Sequence, residues 1–320
     1  MFFSYNEYGD YVKDLRVVFM GTPDFAVPVL EKLIEKTKVC LVVTQPDKEI
    51  GRHKILTPTP IKKVALENNI PVFQPSKIKN DYEPIVAVKP DIIITCAYGQ
   101  IIPKVLLDLP RLGCINVHAS LLPYLRGGAP LHHAIIDGYK KTGVTIMYMD
   151  EAMDTGDIIS TVTYEIKDTD NVGIIHDNLR EMGAELLMQT LPSIIDGTNK
   201  RIKQDNAKAT YAYNISRSDE HLDFTQEGII IDRKVRGLNP WPLANTYFDD
   251  EEIKIISGYF VEGKSKPNTI NVVTKDSLGI GCRNGIYYVT SIKPSGKKIM
   301  DIKSYLNGID KDKLLAKKIS

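Results

Sequence analysis

A repeated alternation of apolar strand, loop and amphipathic helix begins at Leu15 and most strongly limits the possible folds. An apolar run at Arg16–Met20 is followed by a helical pattern at Ala26–Lys36 and a second apolar run at Val39–Thr44, which together form a βαβ unit. Four further runs rich in β-branched residues follow, at Asp91–Cys96, Gly113–His118, Gly143–Met149 and Asp157–Ile166. This order predicts an α/β domain with a doubly wound, mostly parallel sheet.

The pattern changes after a long helical stretch, Val172–Ile195, which we expect to close the first domain. Residues 196–208 are polar and aperiodic, as in an interdomain linker. A helical segment at Glu227–Arg236 and short strand-like runs at 253–261, 269–273 and 285–293 then predict a small β-barrel. The expected organisation is an extension at 1–14, the α/β domain at 15–196, a basic linker at 197–210 and the barrel domain at 211–320.

Composition excludes several classes of protein. Apolar residues make up 43% of the chain and charged residues 25%, and 41 Lys and Arg balance 40 Asp and Glu, so the overall charge indicates no polyanionic partner. The four cysteines include no C-x-x-C pair, which favours reduced thiols over a disulfide framework or a zinc site. Residues 1–14 resemble no targeting signal, and no apolar run reaches membrane-spanning length. We expect a cytoplasmic, metal-free monomer.

The loop after the first strand does not suit a dinucleotide. Its sequence is Gly21-Thr22-Pro23-Asp24-Phe25, where dinucleotide-binding folds carry G-x-G-x-x-G. A single glycine followed by proline cannot form the backbone cradle for a pyrophosphate. Nicotinamide and flavin cofactors are therefore disfavoured.

The predicted strand Gly113–His118 carries candidate catalytic groups. Side chains alternate along a strand, so Cys114, Asn116 and His118 share one face, with His118 nearest the carboxyl end. That end borders the ligand crevice in open α/β sheets. We expect an amide donor and an imidazole to project there together.

A carboxylate is expected beside them. The segment 149–156 follows the next predicted strand, which we expect to end at the same edge, and it contains Asp154. Asn116 and protonated His118 could donate to the oxyanion of an attacked carbonyl, where each donor is worth about 3 to 4 kcal/mol. Asp154 would hold the charged imidazole. This arrangement favours acyl transfer to an amine without a covalent enzyme intermediate.

Three alternatives remain open from the residues alone. Asn116 and His118 could be a satisfied polar pair at a strand end. Cys114 could be a nucleophile, although a thiol deep in an apolar strand is more often buried and inert. Asp154-Thr155-Gly156 matches the aspartic-protease triplet, but that mechanism needs two such carboxylates and the chain has the triplet once.

Several motifs together resemble the 10-formyltetrahydrofolate-dependent formyltransferases. They are Asn116-Val117-His118, Ser120-Leu121-Leu122-Pro123, Arg126-Gly127-Gly128-Ala129-Pro130 and Asp154-Thr155-Gly156. Further matches run from Leu15 to near the C-terminus, including Ala97–Gln100, Ala209–Ala212 and Asn239–Pro242. The resemblance implies a Rossmann-like catalytic domain followed by an OB-like barrel that helps to hold tRNA.

The resemblance also implies the chemistry and its residues. The donor is 10-formyltetrahydrofolate, the acceptor is the α-amino group of methionine on initiator tRNA, and the catalytic residues are Asn116, His118 and Asp154. The implied folate-binding residues are Ala97, Tyr98, Gly99, Gln100, Ile101, Ile102, Ser120, Leu121, Leu122, Pro123, Met149, Asp150 and Glu151. The implied tRNA-binding residues are Lys48, Arg52, Lys54 and Arg126. Ile55 and His132-His133 depart from the residues common at those positions in the family.

Overall fold

The computed structural model describes residues 12–51 and 53–320, which form two compact units. Unit 1 contains the described residues up to Pro130 together with 141–165 and 176–213. Unit 2 contains 131–140, 166–175 and 214–320. The predicted extension at 1–14 lies mostly outside the described residues, as does Arg52.

Unit 1 is built on a mostly parallel sheet. The strands of this unit are β1 (Arg16–Gly21), β2 (Lys38–Val43), β3 (Lys48–Ile50), β4 (Ile55–Thr57), β5 (Val72–Phe73), β6 (Ile92–Cys96), β7 (Cys114–His118), β8 (Lys141–Tyr148) and β9 (Ile158–Glu165). Seven of them form one sheet in the order β5-β2-β1-β6-β7-β8-β9, and β3 pairs with β4 in a separate hairpin. The pairs from β5 to β7 are parallel, and β8 and β9 are antiparallel. The predicted fold class of this domain is confirmed.

Helices accompany the sheet. In unit 1 they are α1 (Val27–Lys36), α2 (Pro60–Glu67), α3 (Glu83–Ala87), α4 (Lys104–Leu107) and most of α6 (Val172–Ile195), whereas α5 (Pro130–Ile136) belongs mainly to unit 2. α1 buries an apolar stripe of Val29, Leu30 and Leu33. α2 begins where the Thr59 side chain accepts from the Lys62 backbone N–H, with Pro60 at the first helical position.

The central strands of the sheet are buried. All five residues of β6 are buried, as are the last five of β1. Strands covered on both faces read as continuous apolar runs, which is why the sequence located them. The chain runs from β1 to β2 and β5 on one side and then returns to β6 on the other side of β1. In open α/β sheets, ligands bind at the carboxyl ends of the strands beside such a reversal.

The segment predicted as a linker, 197–210, lies within unit 1. Ile202 exchanges two backbone hydrogen bonds of 2.9 Å with Ile158 at the start of β9. Arg201 and Lys203 both bind the Asp157 carboxylate, at 3.2 and 2.9 Å, and the Arg201 guanidinium lies 4.0 Å from the centre of the Tyr148 ring. Polar, aperiodic sequence here forms an ordered strap, which we define as residues 201–213.

Unit 2 is an antiparallel β domain. Its strands are β10 (Ala244–Phe248), β11 (Glu251–Glu262), β12 (Ile270–Val273), β13 (Leu278–Cys282), β14 (Gly285–Pro294) and β15 (Met300–Asp301), and its helices are α7 (Gly228–Gly237), α8 (Ile302–Leu306) and α9 (Lys311–Leu315). The main path runs β10-β11-β14-β13-β12, so β10 and β12 are its edges.

The C-terminal residues span those two edges. Ile319 bridges to Phe248 in β10, and Lys318 bridges to Thr269 beside β12. The backbone of Ser320 also exchanges hydrogen bonds with Tyr247. The tail thus covers both open edges and gives the sheet a barrel-like closure, in agreement with the predicted small barrel.

The ion pairs of Asp157 predict an acid-sensitive strap. Lys203 and Arg201 hold the pKa of Asp157 below its usual value. A lowered carboxyl pKa stabilises the fold fully above the unfolded value of about 4, and the benefit is lost as pH falls through the lower folded value. Asp157→Asn should therefore cost about 1 kcal/mol or less at pH 7, because Lys203 is exposed, and progressively less as the pH falls below about 4.

Thermal unfolding of the wild type and Asp157→Asn, followed by circular dichroism from pH 2 to 7, measures this difference. Asp205→Asn is a matched control, because its partner Lys208 is also exposed and the side chain of asparagine also caps the turn. A destabilisation of Asp157→Asn that stays constant over the whole pH range would contradict the assignment.

Candidate active site

Thr95 orients the Asn116 amide. β6 and β7 run parallel, and their register places Thr95 beside Asn116. The Thr95 hydroxyl donates to Asn116 Oδ1 over 2.8 Å. Because its oxygen is occupied, the half-buried Asn116 amide presents its NH₂ group as a hydrogen-bond donor. Met149 Sδ lies 3.2 Å from the Thr95 hydroxyl, so the loop after β8 meets this point.

His118 is buried between two partners. Its Nε2 donates to the Leu125 carbonyl oxygen over 3.1 Å, and Nδ1 lies 3.7 Å from Asp154 Oδ1. The second distance exceeds that of a hydrogen bond. A hydrogen on Nδ1 would therefore feel the attraction of the carboxylate and still be available to a bound group.

Asp154 is fixed by the loop that follows β7. Its Oδ2 accepts from the Gly127 backbone N–H over 2.8 Å. Gly127 has φ +121°, and a Cβ there would lie 2.6 Å from the Ala212 carbonyl oxygen, so only glycine fits against the strap. Asp154 itself has φ +54° and Leu125 has φ +58°, left-handed conformations that cost energy for residues with side chains.

The prediction that the strand before Asp154 ends at the same edge of the sheet as His118 was wrong. β8 pairs antiparallel with β7, so Tyr148, the last residue of β8, lies beside Ile115 near the start of β7. The carboxyl end of β8 is therefore at the opposite edge from His118. The loop at 149–157 returns past Thr95 and Asn116, and this return brings Asp154 to the imidazole.

A buried arginine links the loop after β7 to the strap. Arg126 is 2% exposed. Its Nε and Nη2 donate to Gln204 Oε1 over 3.1 and 2.7 Å, and Nη2 also donates to Asn206 Oδ1 over 2.8 Å. The Gln204 amide donates in turn to the carbonyl oxygens of Asp154 and Gly156, both over 2.8 Å. Gln204 therefore connects Arg126 directly to the backbone of Asp154.

Gln204 and Thr95 were missed by sequence reasoning. Gln204 lies in a polar segment without periodicity, where nothing in the sequence distinguishes it. Thr95 offered a weak signal, as a polar residue next to the end of a fully apolar strand.

The predicted folate-binding residues occupy different environments. Tyr98, Ile102, Ser120 and Leu122 are buried, and Ile101 is 85% exposed. The Gln100 side chain accepts from the Ile78 backbone N–H over 2.8 Å, so the loop at 97–102 is held against the segment that contains Ile78. Ala97 and Gly99 adopt positive φ, so this loop turns sharply after β6. The remaining predicted residues, Leu121, Pro123, Met149, Asp150 and Glu151, are half-buried or exposed.

One cavity of about 600 Å³ adjoins this region. Its lining includes Cys114, Tyr148 and the predicted folate residues Met149, Asp150 and Glu151. Its volume is in the range of small-molecule sites. The predicted residues at 97–102 and 120–123 do not line it.

The predicted tRNA-binding residues also differ in exposure. Lys48 and Lys54 are exposed on the hairpin of β3 and β4, where Ile50, Ile55 and Leu56 are also exposed. Arg52, between them, lies outside the described residues. Arg126 is buried in the network described above, a placement that does not favour a direct contact with tRNA.

The two rival catalytic readings find no support in the geometry. Cys114 is buried and donates to the Leu106 carbonyl oxygen, and burial raises its pKa to about 12. The Asp154 carboxylate contacts the His118 imidazole and the Gly127 N–H, whereas an aspartic protease needs a second carboxylate at that position. The described residues contain no cluster of three His, Cys, Asp or Glu suited to a metal ion.

Comparison with known proteins identifies the family. The formyl transferase family model matches residues 15–191, and the model of the formyl transferase C-terminal domain matches 214–310. The chain belongs to the formyltransferase family. This confirms the resemblance read from the sequence motifs.

Curated relatives of this formyltransferase are closely similar over nearly their whole length. Methionyl-tRNA formyltransferase of Staphylococcus epidermidis is 49% identical over 92% of this chain and 96% of its own. The enzymes of the same name from Geobacillus sp. and Bacillus subtilis are 50% and 49% identical, each over 92% of this chain and 94% of its own.

Solved structures share the fold at low identity. WlaRD, a sugar 3N-formyl transferase, matches with TM-score 0.64 and 19% identity over 89% of this chain and 99% of its own. HypX of Aquifex aeolicus, in complex with tetrahydrofolic acid, matches with TM-score 0.61 and 19% identity over 92% of this chain. This formyltransferase spans about half the length of HypX, 47% of that chain.

The contact between Thr95 and Asn116 predicts a defect specific to turnover. Thr95→Val keeps the shape and removes the donor, so the Asn116 amide is free to rotate and its oxygen loses a partner. We expect kcat to fall about tenfold, since a neutral hydrogen bond contributes about 1 kcal/mol. The KM values for the formyl donor and for the amine acceptor should change little. Thr95→Ser, which keeps the hydroxyl, should restore turnover. Equal rates in the Val and wild-type proteins would refute this role.

The buried thiol predicts a silent substitution. With a pKa of about 12, less than about one Cys114 side chain in a thousand is a thiolate at pH 8. Cys114→Ala should keep kcat within a few-fold of the wild type in a formyl-transfer assay. Loss of all activity in a folded Cys114→Ala protein would make Cys114 the nucleophile.

Proposed function

We propose that this formyltransferase moves the formyl group of 10-formyltetrahydrofolate to the α-amino group of methionine esterified to initiator tRNA, for translation initiation. The observation that carries the proposal is the cluster in which Thr95 directs the Asn116 amide, and His118 lies between the Leu125 carbonyl and the Asp154 carboxylate. The methionyl-tRNA formyltransferases at 49% to 50% identity support the choice of acceptor.

The residues divide the chemistry between them. The substrate amine has a pKa near 8, so a useful neutral fraction attacks the formyl carbon at pH 7. Asn116 donates its free N–H to the oxygen that becomes negative, and the Nδ1 side of a protonated His118 offers a second donor. Preorganised donors of this kind stabilise the transition state more than the ground state.

The proton balance needs no covalent enzyme intermediate. The bond between the amine nitrogen and the formyl carbon forms, and the bond from that carbon to the folate nitrogen breaks. The amine loses one proton, and the departing folate nitrogen gains one. A protonated His118 can give its Nδ1 proton to the departing folate nitrogen and then take the amine's proton at the same atom, with Asp154 offsetting the positive charge while the ring holds it.

The acceptor would be held by two regions. We assign the hairpin of β3 and β4 to the acceptor stem, because Lys48 and Lys54 place cations beside exposed Ile50, Ile55 and Leu56. Arg52 is assigned to the same contact from the sequence. Unit 2 is assigned to tRNA binding as well. We further propose that the enzyme acts as a monomer in the cytoplasm, where translation takes place.

Arg126 has a different role in this proposal. Its guanidinium is hydrogen-bonded to Gln204 and Asn206, so it would hold the loop that carries Gly127 rather than contact phosphate.

The described residues contain no helix long and apolar enough to cross a membrane.

His118→Ala tests the assignment of the active site. The variant should lower kcat for charged initiator tRNA by about a hundredfold or more, because it removes a donor and the proton carrier together. Binding of the same tRNA, measured by filter retention, should not change. His176→Ala, on α6 of unit 1, is the control for loss of a buried histidine.

The same assay tests the acceptor. Purified protein is supplied with 10-formyltetrahydrofolate and either methionyl-tRNA or a small amine such as an amino sugar. Formylation of the small amine with methionyl-tRNA left unmodified would overturn the proposed acceptor. Wild-type turnover in His118→Ala would overturn the proposed site.

A further inference from the structure

Two tyrosines near the end of the strap form an exposed parallel pair. Tyr211 is 47% exposed and Tyr213 is 68% exposed, and their ring centres are 6.0 Å apart with planes inclined by 11°. Ala212 between them is fully buried. The strap is extended here, so alternation turns both rings to the same side, away from the core.

The backbone under this pair is held on both sides. Arg126 N–H donates to the Thr210 carbonyl over 2.9 Å, and Ala212 N–H donates to the Arg126 carbonyl over 2.7 Å. The Ala129 N–H also donates to the Ala212 carbonyl over 3.1 Å. Two large aromatic side chains therefore stay at the surface on a backbone that is fixed. Exposed aromatic surface on rigid backbone indicates a binding role.

The pair is also close to the reacting groups. Tyr211 forms a β-bridge with Arg126, and the next residue, Gly127, donates to Asp154. The Cα atoms of Tyr211 and Gly127 are therefore roughly 9 Å apart or less. A group bound on the rings would therefore lie close to an amine that reacts beside His118.

We propose that Tyr211 and Tyr213 form a stacking surface for the unpaired bases at the 3′ end of the acceptor tRNA. This inference rests on the proposed function. In an aminoacyl-tRNA only the ribose, the ester and one carbon separate the terminal base from the reacting amine. Every base has a flat face, and stacking on aromatic side chains is worth about 1 to 3 kcal/mol per base.

The rest of the strap suits the same partner. Arg201, Lys203 and Lys208 lie upstream of the rings with exposed side chains. Single-stranded nucleic acid is typically held by cations along its backbone and aromatic rings under its bases. The formyl donor is the competing occupant, because Pro123, a predicted folate residue, accepts from the Thr210 N–H beside the pair.

Steady-state kinetics on the full-length enzyme separate these occupants. Tyr211→Ala and Tyr213→Ala should each raise KM for methionyl-tRNA, and the double variant should lower kcat/KM by roughly ten- to a hundredfold. KM for 10-formyltetrahydrofolate should stay at the wild-type value. Tyr211→Phe and Tyr213→Phe should behave as the wild type, since stacking needs the ring and not the hydroxyl. Leu66→Ala, which removes an exposed apolar side chain of α2 that has no assigned role in either substrate site, is the control.

A direct binding measurement keeps this inference separate from the proposed function. An acceptor-stem RNA with 2-aminopurine as its terminal base should lose fluorescence on binding the wild type and the Phe variants, but not the double Ala variant. Unchanged kinetics and quenching in the double Ala variant would overturn the stacking surface. So would a rise in KM for the folate donor alone, or a defect that the Phe variants share. A wild type that quenches the RNA but formylates no methionyl-tRNA would instead overturn the proposed acceptor.

Discussion

The active site depends on the burial of the Arg126 guanidinium. A charge removed from water is costly unless it is hydrogen-bonded, and the side-chain oxygens of Gln204 and Asn206 accept from Nε and Nη2 of Arg126. Both acceptors belong to the strap, about eighty residues further along the chain. Satisfying one arginine therefore requires the strap to lie against the loop that follows β7.

Three features of the site follow from that contact. Gln204, while it accepts from Arg126, donates to the backbone of Asp154 and Gly156. Gly127, next to Arg126, has no side chain to separate it from Ala212, and its N–H binds the Asp154 carboxylate. Leu125, on the other side of Arg126, is held by the Thr210 hydroxyl and turns its carbonyl to His118. The left-handed conformations of Leu125 and Asp154 are maintained by this surrounding network.

The change in strand direction at β7 places the remaining groups. The parallel neighbour β6 brings Thr95 level with Asn116, while the antiparallel neighbour β8 ends at the far edge of the sheet. β9 begins at that same far edge, where Ile158 pairs with Met147, so the loop at 149–157 extends toward the His118 edge and returns. On this excursion Met149 lies beside Thr95 and Asp154 lies beside His118. A fully parallel sheet would put the end of this strand beside His118 directly, as the sequence analysis assumed.

By itself, the sequence determined where the long helix and the buried strands of the first domain lie, and which side chains share one face of the strand that carries His118. The buried strands and the long helix Val172–Ile195 were located because strand and helix periods leave a direct mark on the apolar pattern, and the period of two placed Asn116 and His118 together. The hairpin at 48–57 and the two-residue strands β5 and β15 have too few residues for such a mark, while β10 and β13 mix polar or glycine residues with apolar ones and show no clear apolar run. Only the tertiary structure decided how Asp154 reaches His118, that Thr95 orients Asn116, and that the polar segment after α6 is held against unit 1 as a strap. Each of those depends on strand direction or on hydrogen bonds between residues far apart in the chain, and local pattern carries no information about either.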